Sequence, residues 1–160
     1  MYGLRVNANQ QLIERFYTAF NAHDAATMCA SYRDDATFAD PVFPDLDAAG
    51  VRAMWTMLCG RAPDLTVQAS NIVVDGDRGS AHWVARYTFS TTKRFVENRI
   101  DATFTFKDGL ILKHVDAFDF WRWSRQALGP PGLLLGWSPL IKNKVRATAA
   151  SGLRRFRETA

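Results

Sequence analysis

The stretch Phe104-Thr105-Phe106-Lys107-Asp108-Gly109-Leu110-Ile111-Leu112-Lys113-His114-Val115-Asp116-Ala117-Phe118 decides the fold. On both sides of Lys107-Asp108-Gly109 the side chains alternate with a period of two, and Asp-Gly is a dipeptide suited to a tight turn with positive φ, so the segment reads as an antiparallel hairpin. Toward the N-terminus, Ile100 and Ala102 extend the face of Phe104 and Phe106, opposite Arg99, Asp101, Thr103 and Thr105. Before them, Ala81, Trp83, Ala85, Tyr87 and Phe89 share one face of another strand, with His82, Val84, Arg86 and Thr88 on the other. That strand follows the turn Asp75-Gly76-Asp77-Arg78-Gly79 and a first long strand over Leu65–Val74. The pattern predicts a four-strand antiparallel meander whose last strand presents Leu110, Leu112, His114, Asp116 and Phe118 on one face. Neither face of the last two strands is uniformly polar, which predicts a curved sheet covered on both sides.

The first third of the chain is helical in pattern. Leu12, Phe16 and Phe20 recur at four-residue spacing with Ile13 beside them, giving an apolar face to a helix over about 9–21. Asp24 is placed to cap a short helix running through Tyr32, and a brief extended segment, residues 36–39, leads into Asp40-Pro41. The proline keeps Asp40 out of a helix, at a strand end or loop entry. Asp47 is placed to cap a third helix that buries Val51, Met54, Trp55 and Leu58 and ends near Gly60. Helices first and strands afterwards make this an α+β chain.

The 160 residues, 48% of them hydrophobic, suit one globular domain able to bury a core without disulfides or metal. The net charge of +4 is unevenly spread. Residues 1–120 hold 12 basic and 15 acidic side chains, a net of −3, whereas residues 121–160 hold 8 basic and 1 acidic, a net of +7. An evenly basic nucleic-acid-binding domain is thereby excluded, and nucleic acid is not the expected partner. Cys29 and Cys59 lie in helical stretches without metal-ligand spacing and read as buried free thiols. The polar run from Met1 to Gln11 has no signal-peptide core, so a cytoplasmic protein is expected.

Two separated segments resemble a known family. Leu12-Ile13-Glu14-Arg15-Phe16-Tyr17-Thr18-Ala19-Phe20-Asn21-Ala22-His23-Asp24, followed by Asp34-Asp35-Ala36-Thr37-Phe38-Ala39-Asp40-Pro41-Val42, is similar to the opening of the NTF2-like superfamily, most closely its SnoaL-like and ketosteroid-isomerase-like members. The hairpin quoted above resembles the same family's final hairpin, and the likeness covers roughly residues 9–120. It implies a cone-shaped fold, with N-terminal helices packed in a curved antiparallel sheet around an apolar pocket, and a homodimer built through the sheet. It implies a SnoaL-like domain over residues 1–128, followed by a basic helical extension over 129–160. Carried over by resemblance, Asp40 falls on the general base of the ketosteroid isomerases. The family's phenolic donor falls on Phe16 and its protonated acid on Ala102, neither of which donates a hydrogen bond. The usual oxyanion hole is therefore absent, and Tyr17, one position on, points about 100° away around the helix.

The candidate chemistry rests on Asp40, His114 and Asp116. A carboxylate and an imidazole on an otherwise apolar strand face either exchange protons with a bound substrate or form a structural polar pair. Two apart on a strand, they point the same way at about 7 Å and need not touch. Asp40 is either a base or the opener of a turn at Pro41. The expected pocket takes a small hydrophobic molecule and is lined by Phe16, Phe20, Trp55, Trp83 and Tyr87, together with Ala102, Phe104, Leu112 and Phe118. These assignments imply cofactor-free acid–base chemistry of isomerase, cyclase or hydratase type, or else a non-catalytic binding or partner subunit. No three ligands cluster, so no metal site is expected. Asp34 and Asp35 read as a surface turn, and His23 and His82 as surface residues.

The chain's end stands apart. Gly129-Pro130-Pro131-Gly132 breaks a short helix, and Ser138-Pro139 starts another on which Ile141, Val145, Ala149, Leu153 and Phe156 form one stripe flanked by Lys142, Arg146 and Arg157. This basic amphipathic helix either packs on the body or a second subunit, or, with Leu133-Leu134-Leu135 and Trp137 leading, rests on an anionic membrane surface.

Overall fold

A computed structural model describes residues 7–159. The first six residues of the polar N-terminal run lie outside the described residues. Helix α1 (Ala8–Asn21) is capped by the Asn7 side chain, and α2 (Ala25–Ala30) by Asp24, whose Oδ1 accepts from the Thr27 N–H. Strand β1 (Tyr32–Ala39) and the short β2 (Leu46–Asp47) precede α3 (Ala48–Arg61), capped by Asp47 as its sequence indicates. Then come β3 (Thr66–Asp75), β4 (Arg78–Phe89), β5 (Arg94–Lys107) and β6 (Leu110–Ala117), followed by α4 (Phe120–Leu128), α5 (Pro130–Leu135) and α6 (Pro139–Thr159).

The six strands form one curved sheet in the order β2-β1-β6-β5-β4-β3. The expected meander is present as β3–β4–β5–β6, with Trp83 opposite Ile100 and Phe104 opposite His114. The sheet departs from the expected arrangement at β1, which pairs in parallel with β6 and sets Phe38 beside His114. What reads as a helix end and a surface turn is thus a strand. Tyr32, Ala36 and Phe38 point inward, while Asp34 and Asp35 are exposed on the strand and pair with Arg52 and Arg33.

A second correction concerns β6. The register passes from Thr105 opposite Lys113 to Phe106 opposite Ile111, leaving Leu112 as an extra residue. Such a bulge reverses the alternation. Ile111 is therefore fully buried, Leu110 and Leu112 are only half-buried, and the inward face resumes at His114. Asp108 and Gly109 both carry positive φ (53° and 78°), as the tight turn between β5 and β6 requires.

Helix α1 packs across the concave face of the sheet, with Ile13, Phe16, Tyr17 and Phe20 buried against it. Helix α3 closes one side through Val51, Met54 and Trp55. A second, smaller cluster of Val96, Phe120, Trp123 and Ala127 fills the end of the sheet under α4. The stripe read on the last helix faces the body: Leu153 belongs to the main core, Ala149 and Phe156 pack against it, and Ile141 and Val145 cover the second cluster. Both cysteines are free but half-buried rather than buried.

Candidate functional site

Parallel pairing of β1 with β6 brings the candidate residues to one end of the sheet. Ala39 is in register with Val115, so Asp40, just past the end of β1, lies beside Asp116. The proline at position 41 ends the strand, and the loop after it folds back so that the Asp40 N–H donates to the Phe43 carbonyl. The Asp40 side chain is fixed by the same loop. Its Oδ1 accepts from the Val42 and Phe43 N–H groups at 2.7 and 2.6 Å, and among the described residues no protein group donates to Oδ2. Burial pushes the Asp40 carboxyl up to about 6. The two N–H groups pull it down, the Asp116 charge raises it further, and His114 lowers it.

His114 is completely buried at 0% exposure, enclosed by the rings of Phe16, Tyr32, Phe38, Trp55 and Phe104. Both of its nitrogens are engaged. Nδ1 lies 2.8 Å from the Tyr32 hydroxyl and Nε2 lies 2.9 Å from Asp116 Oδ1. The Trp55 indole N–H, which can only donate, reaches the Tyr32 oxygen at 2.9 Å. In the tautomer that donates from Nε2 to Asp116, Nδ1 accepts the Tyr32 hydroxyl proton while the Tyr32 oxygen accepts from Trp55. Asp116 also receives the Trp83 indole N–H at 3.4 Å. The side chains of His114 and Asp116, expected only to point the same way, are hydrogen-bonded.

Tyr17 points inward, despite its place one position beyond the slot of the family's phenol. Its ring packs on Trp83 and Phe104, and its hydroxyl is buried with no hydrogen-bond partner among the described residues. Burial, and then the Asp116 charge and Tyr32, hold its phenol well above the ordinary range, so it stays a donor. The helix presents two adjacent positions to the core, Phe16 and Tyr17, so a phenol at either one faces the sheet. Tyr32 could not have been found from alternation, because the register shift between Tyr32 and Thr37 interrupts it.

Of the residues expected to line a pocket, Phe16, Phe20, Trp55, Trp83, Ala102 and Phe104 are buried in the main core. Tyr87 and Phe118 are half-buried; Leu112 sits at the bulge and does not share the His114 face. The Tyr87 hydroxyl accepts the Trp123 indole N–H at 2.8 Å, and its phenol is raised first by burial and also by the Asp40 charge. Val42 and Phe118 touch both hydrophobic clusters, and Arg146 of α6 donates through Nε to the Pro41 carbonyl at 2.8 Å. The C-terminal helix therefore lies against the loop that carries Asp40. Two open surface clefts of about 590 and 560 Å³ lie elsewhere, one under Arg94, Arg122 and Arg125, the other along α1 and α2. His23 Nε2 donates to the Leu65 carbonyl, and His82 pairs with Asp101, both away from this site. Among the described residues no three His, Cys, Asp or Glu side chains converge as metal ligands, and no helix is long and apolar enough to cross a membrane.

The model of the SnoaL-like domain matches residues 13–114. IdmH of Streptomyces antibioticus, a candidate polyketide cyclase, has a similar structure with TM-score 0.64 and 25% identity, over 75% of this chain and 98% of its own. An LEH-like epoxide hydrolase of M. tuberculosis aligns at 20% identity with TM-score 0.65, over 79% and 92%. A candidate polyketide cyclase of Xanthomonas campestris pv. campestris aligns at 20% identity with TM-score 0.62, over 74% and 96%. The last two likenesses, under 25% identical, speak for the fold alone. Among curated protein sequences none matches the chain significantly.

Proposed function

The chain belongs to the SnoaL-like domain family, with an NTF2-like fold, and on that footing we propose that it is a cofactor-free acid–base enzyme acting on a small apolar, carbonyl-containing or cyclic molecule. One observation carries the reading: a carboxyl group at the end of β1 is pinned through Oδ1, raised to about 6, and left with Oδ2 free. A base with that pKa is half or more ionised at neutral pH yet holds a captured proton well enough to return it. In the proposed step Asp40 Oδ2 takes a proton from the carbon beside a carbonyl, the electron pair moves onto the carbonyl oxygen, and the proton is returned at a second carbon. The Tyr17 hydroxyl is the donor for the developing oxyanion, in place of the missing donors at Phe16 and Ala102. Cyclisation of a carbonyl-containing chain falls in this reaction class, and the assignment of IdmH as a candidate polyketide cyclase supports it.

His114 is a positioning residue in this scheme. With both nitrogens bonded within the protein it does not meet substrate; it fixes the Asp116 carboxylate, whose charge tunes Asp40. A turnover screen over ketones, enols and epoxides tests the reading. An activity that falls at least about tenfold in Asp40→Asn with little change in KM is expected. Equal activity of Asp40→Asn and the wild type removes Asp40 from the mechanism. The dense aromatic packing around His114 favours a second reading, a non-catalytic binding or partner subunit, for which a retained ligand with no turnover is the expected result.

A further inference from the structure

The exposed large hydrophobic side chains are not scattered. Among the described residues there are eight, and seven of them stand at the corner made by α4, α5 and the start of β5. Leu133, Leu134 and Leu135 run along α5, followed by Trp137 and Leu140, the last two and Leu134 being 68–69% exposed. Phe95 lies in the adjoining cleft with Arg94, Arg122 and Arg125. The two parts are continuous: the Trp121 indole N–H donates to the Leu133 carbonyl, and the Arg125 guanidinium sits 4.4 Å over the Trp121 ring. The corner is rigidly joined to the body, because Gly132 and Gly136 bring α5 onto Ser124 so closely that a Cβ at either position would strike it.

The cations of this corner lack acidic partners among the described residues. Arg33, Arg52, Arg86 and Arg99 each pair with a carboxylate, whereas Arg94, Arg122 and Arg125 have none within ion-pair reach among the described residues. The Arg125 Nε–H is buried without an acceptor among the described residues. The nearby acids are already engaged: Glu97 is paired with Arg86 and Arg99, and Asp119 caps α4. Three guanidinium groups without a carboxylate partner among the described residues, beside a row of exposed leucines and a tryptophan, form a surface with two demands, an anionic layer and an apolar layer directly beneath it.

We propose that this corner docks on an anionic lipid bilayer surface, with the arginines among the phosphate headgroups and Leu133, Leu134, Trp137 and Leu140 entering the headgroup–acyl boundary. A lipid surface satisfies both demands at once, and tryptophan with flanking cations is the composition that such a boundary selects. A second copy of this chain fits less well: a two-fold interface would place the same patch against itself, and among the described residues the patch offers its arginines no free carboxylate. The docking element also differs from the one the sequence suggests. The apolar stripe of α6 is spent on the body, so α5 and the first turn of α6 make the contact.

The test uses the full chain and sedimentation with vesicles of phosphatidylcholine, with or without about a third phosphatidylglycerol. Binding to the anionic vesicles alone is expected, weakened at least about tenfold between about 0.1 and 0.5 M salt. Leu134→Ser with Leu140→Ser, which alters two exposed side chains and leaves the charge unchanged, is expected to lower binding about tenfold or more while the thermal transition stays in place. Arg122→Gln with Arg125→Gln is expected to lower it by a similar factor at low salt. Absence of anionic-vesicle binding, equal binding to neutral vesicles, or wild-type binding by the serine variant overturns the proposal. So does light scattering that finds a dimer which the serine variant dissociates, since the corner would then be an interface between copies.

Discussion

Replacing Asp40 by asparagine keeps the size of the side chain and an oxygen for the Val42 and Phe43 N–H groups, and removes only the ability to ionise. The folded carboxyl titrates at about 6 and the unfolded one near the ordinary 3.8. Between those values the folded state holds a proton that the unfolded state has released, so stability falls as pH rises through this window. The contribution of the protonated group is fully present below about pH 4 and is lost above about pH 6. The gap is roughly two pKa units, which corresponds to about 3 kcal/mol of destabilisation accumulated by pH 8. The asparagine variant has no such dependence. Urea denaturation of both proteins from pH 4 to pH 8 is therefore expected to give matching stabilities at the acid end and a growing advantage for Asp40→Asn, reaching about 1–3 kcal/mol on the alkaline side. A difference that stays constant with pH, or an advantage for the wild type above pH 6, would refute the claim that burial strains this carboxylate. The same variant separates stability from chemistry: if Asp40 is the base, the more stable protein is the inactive one.

Three further perturbations reach other parts of the molecule. Tyr32→Phe strips His114 Nδ1 and the Trp55 indole of their shared partner, and by chemical denaturation it is expected to cost about 2–4 kcal/mol; a loss under about 0.5 kcal/mol would mean that this hydroxyl does not hold His114 and Trp55 in place. Tyr17→Phe deletes a buried hydroxyl that has no partner, so the fold should change by less than about 1 kcal/mol or gain stability, while any turnover falls at least about tenfold if the phenol donates to the oxyanion. Ending the chain after Gly129 removes Leu153 from the core and the cover of Ile141, Val145 and Phe156 from both clusters, a loss of roughly 3–6 kcal/mol of apolar burial; calorimetry should show a transition lower by about 10 °C or more.

What could be read from the sequence follows from which periodicities the chain leaves intact. Ala81 to Phe89 and Ile100 to Phe106 alternate without interruption, and their faces, partners and turns were legible because a regular strand repeats every two residues. Legibility fails where the repeat is broken. The bulge at Leu112 shifts Ile111 inward, and the irregularity after Tyr32 hides a strand beneath an Arg-Asp-Asp run that has the composition of a turn. Both breaks adjoin the candidate site, and both set its geometry. The parallel pairing of β1 with β6 places Asp40 beside Asp116, and the break after Tyr32 lets that residue point inward to His114 while Asp34 and Asp35 remain outside. The charge of the chain divides in the same way. Its excess of +7 over residues 121–160 was countable at once, yet counting could not distinguish Arg146, which bonds the Pro41 carbonyl beside Asp40, from Arg122 and Arg125, which face an open cleft. One end of the basic segment closes the loop of the candidate base, and the other is free to meet a surface, a difference that arises only from how α4, α5 and α6 pack.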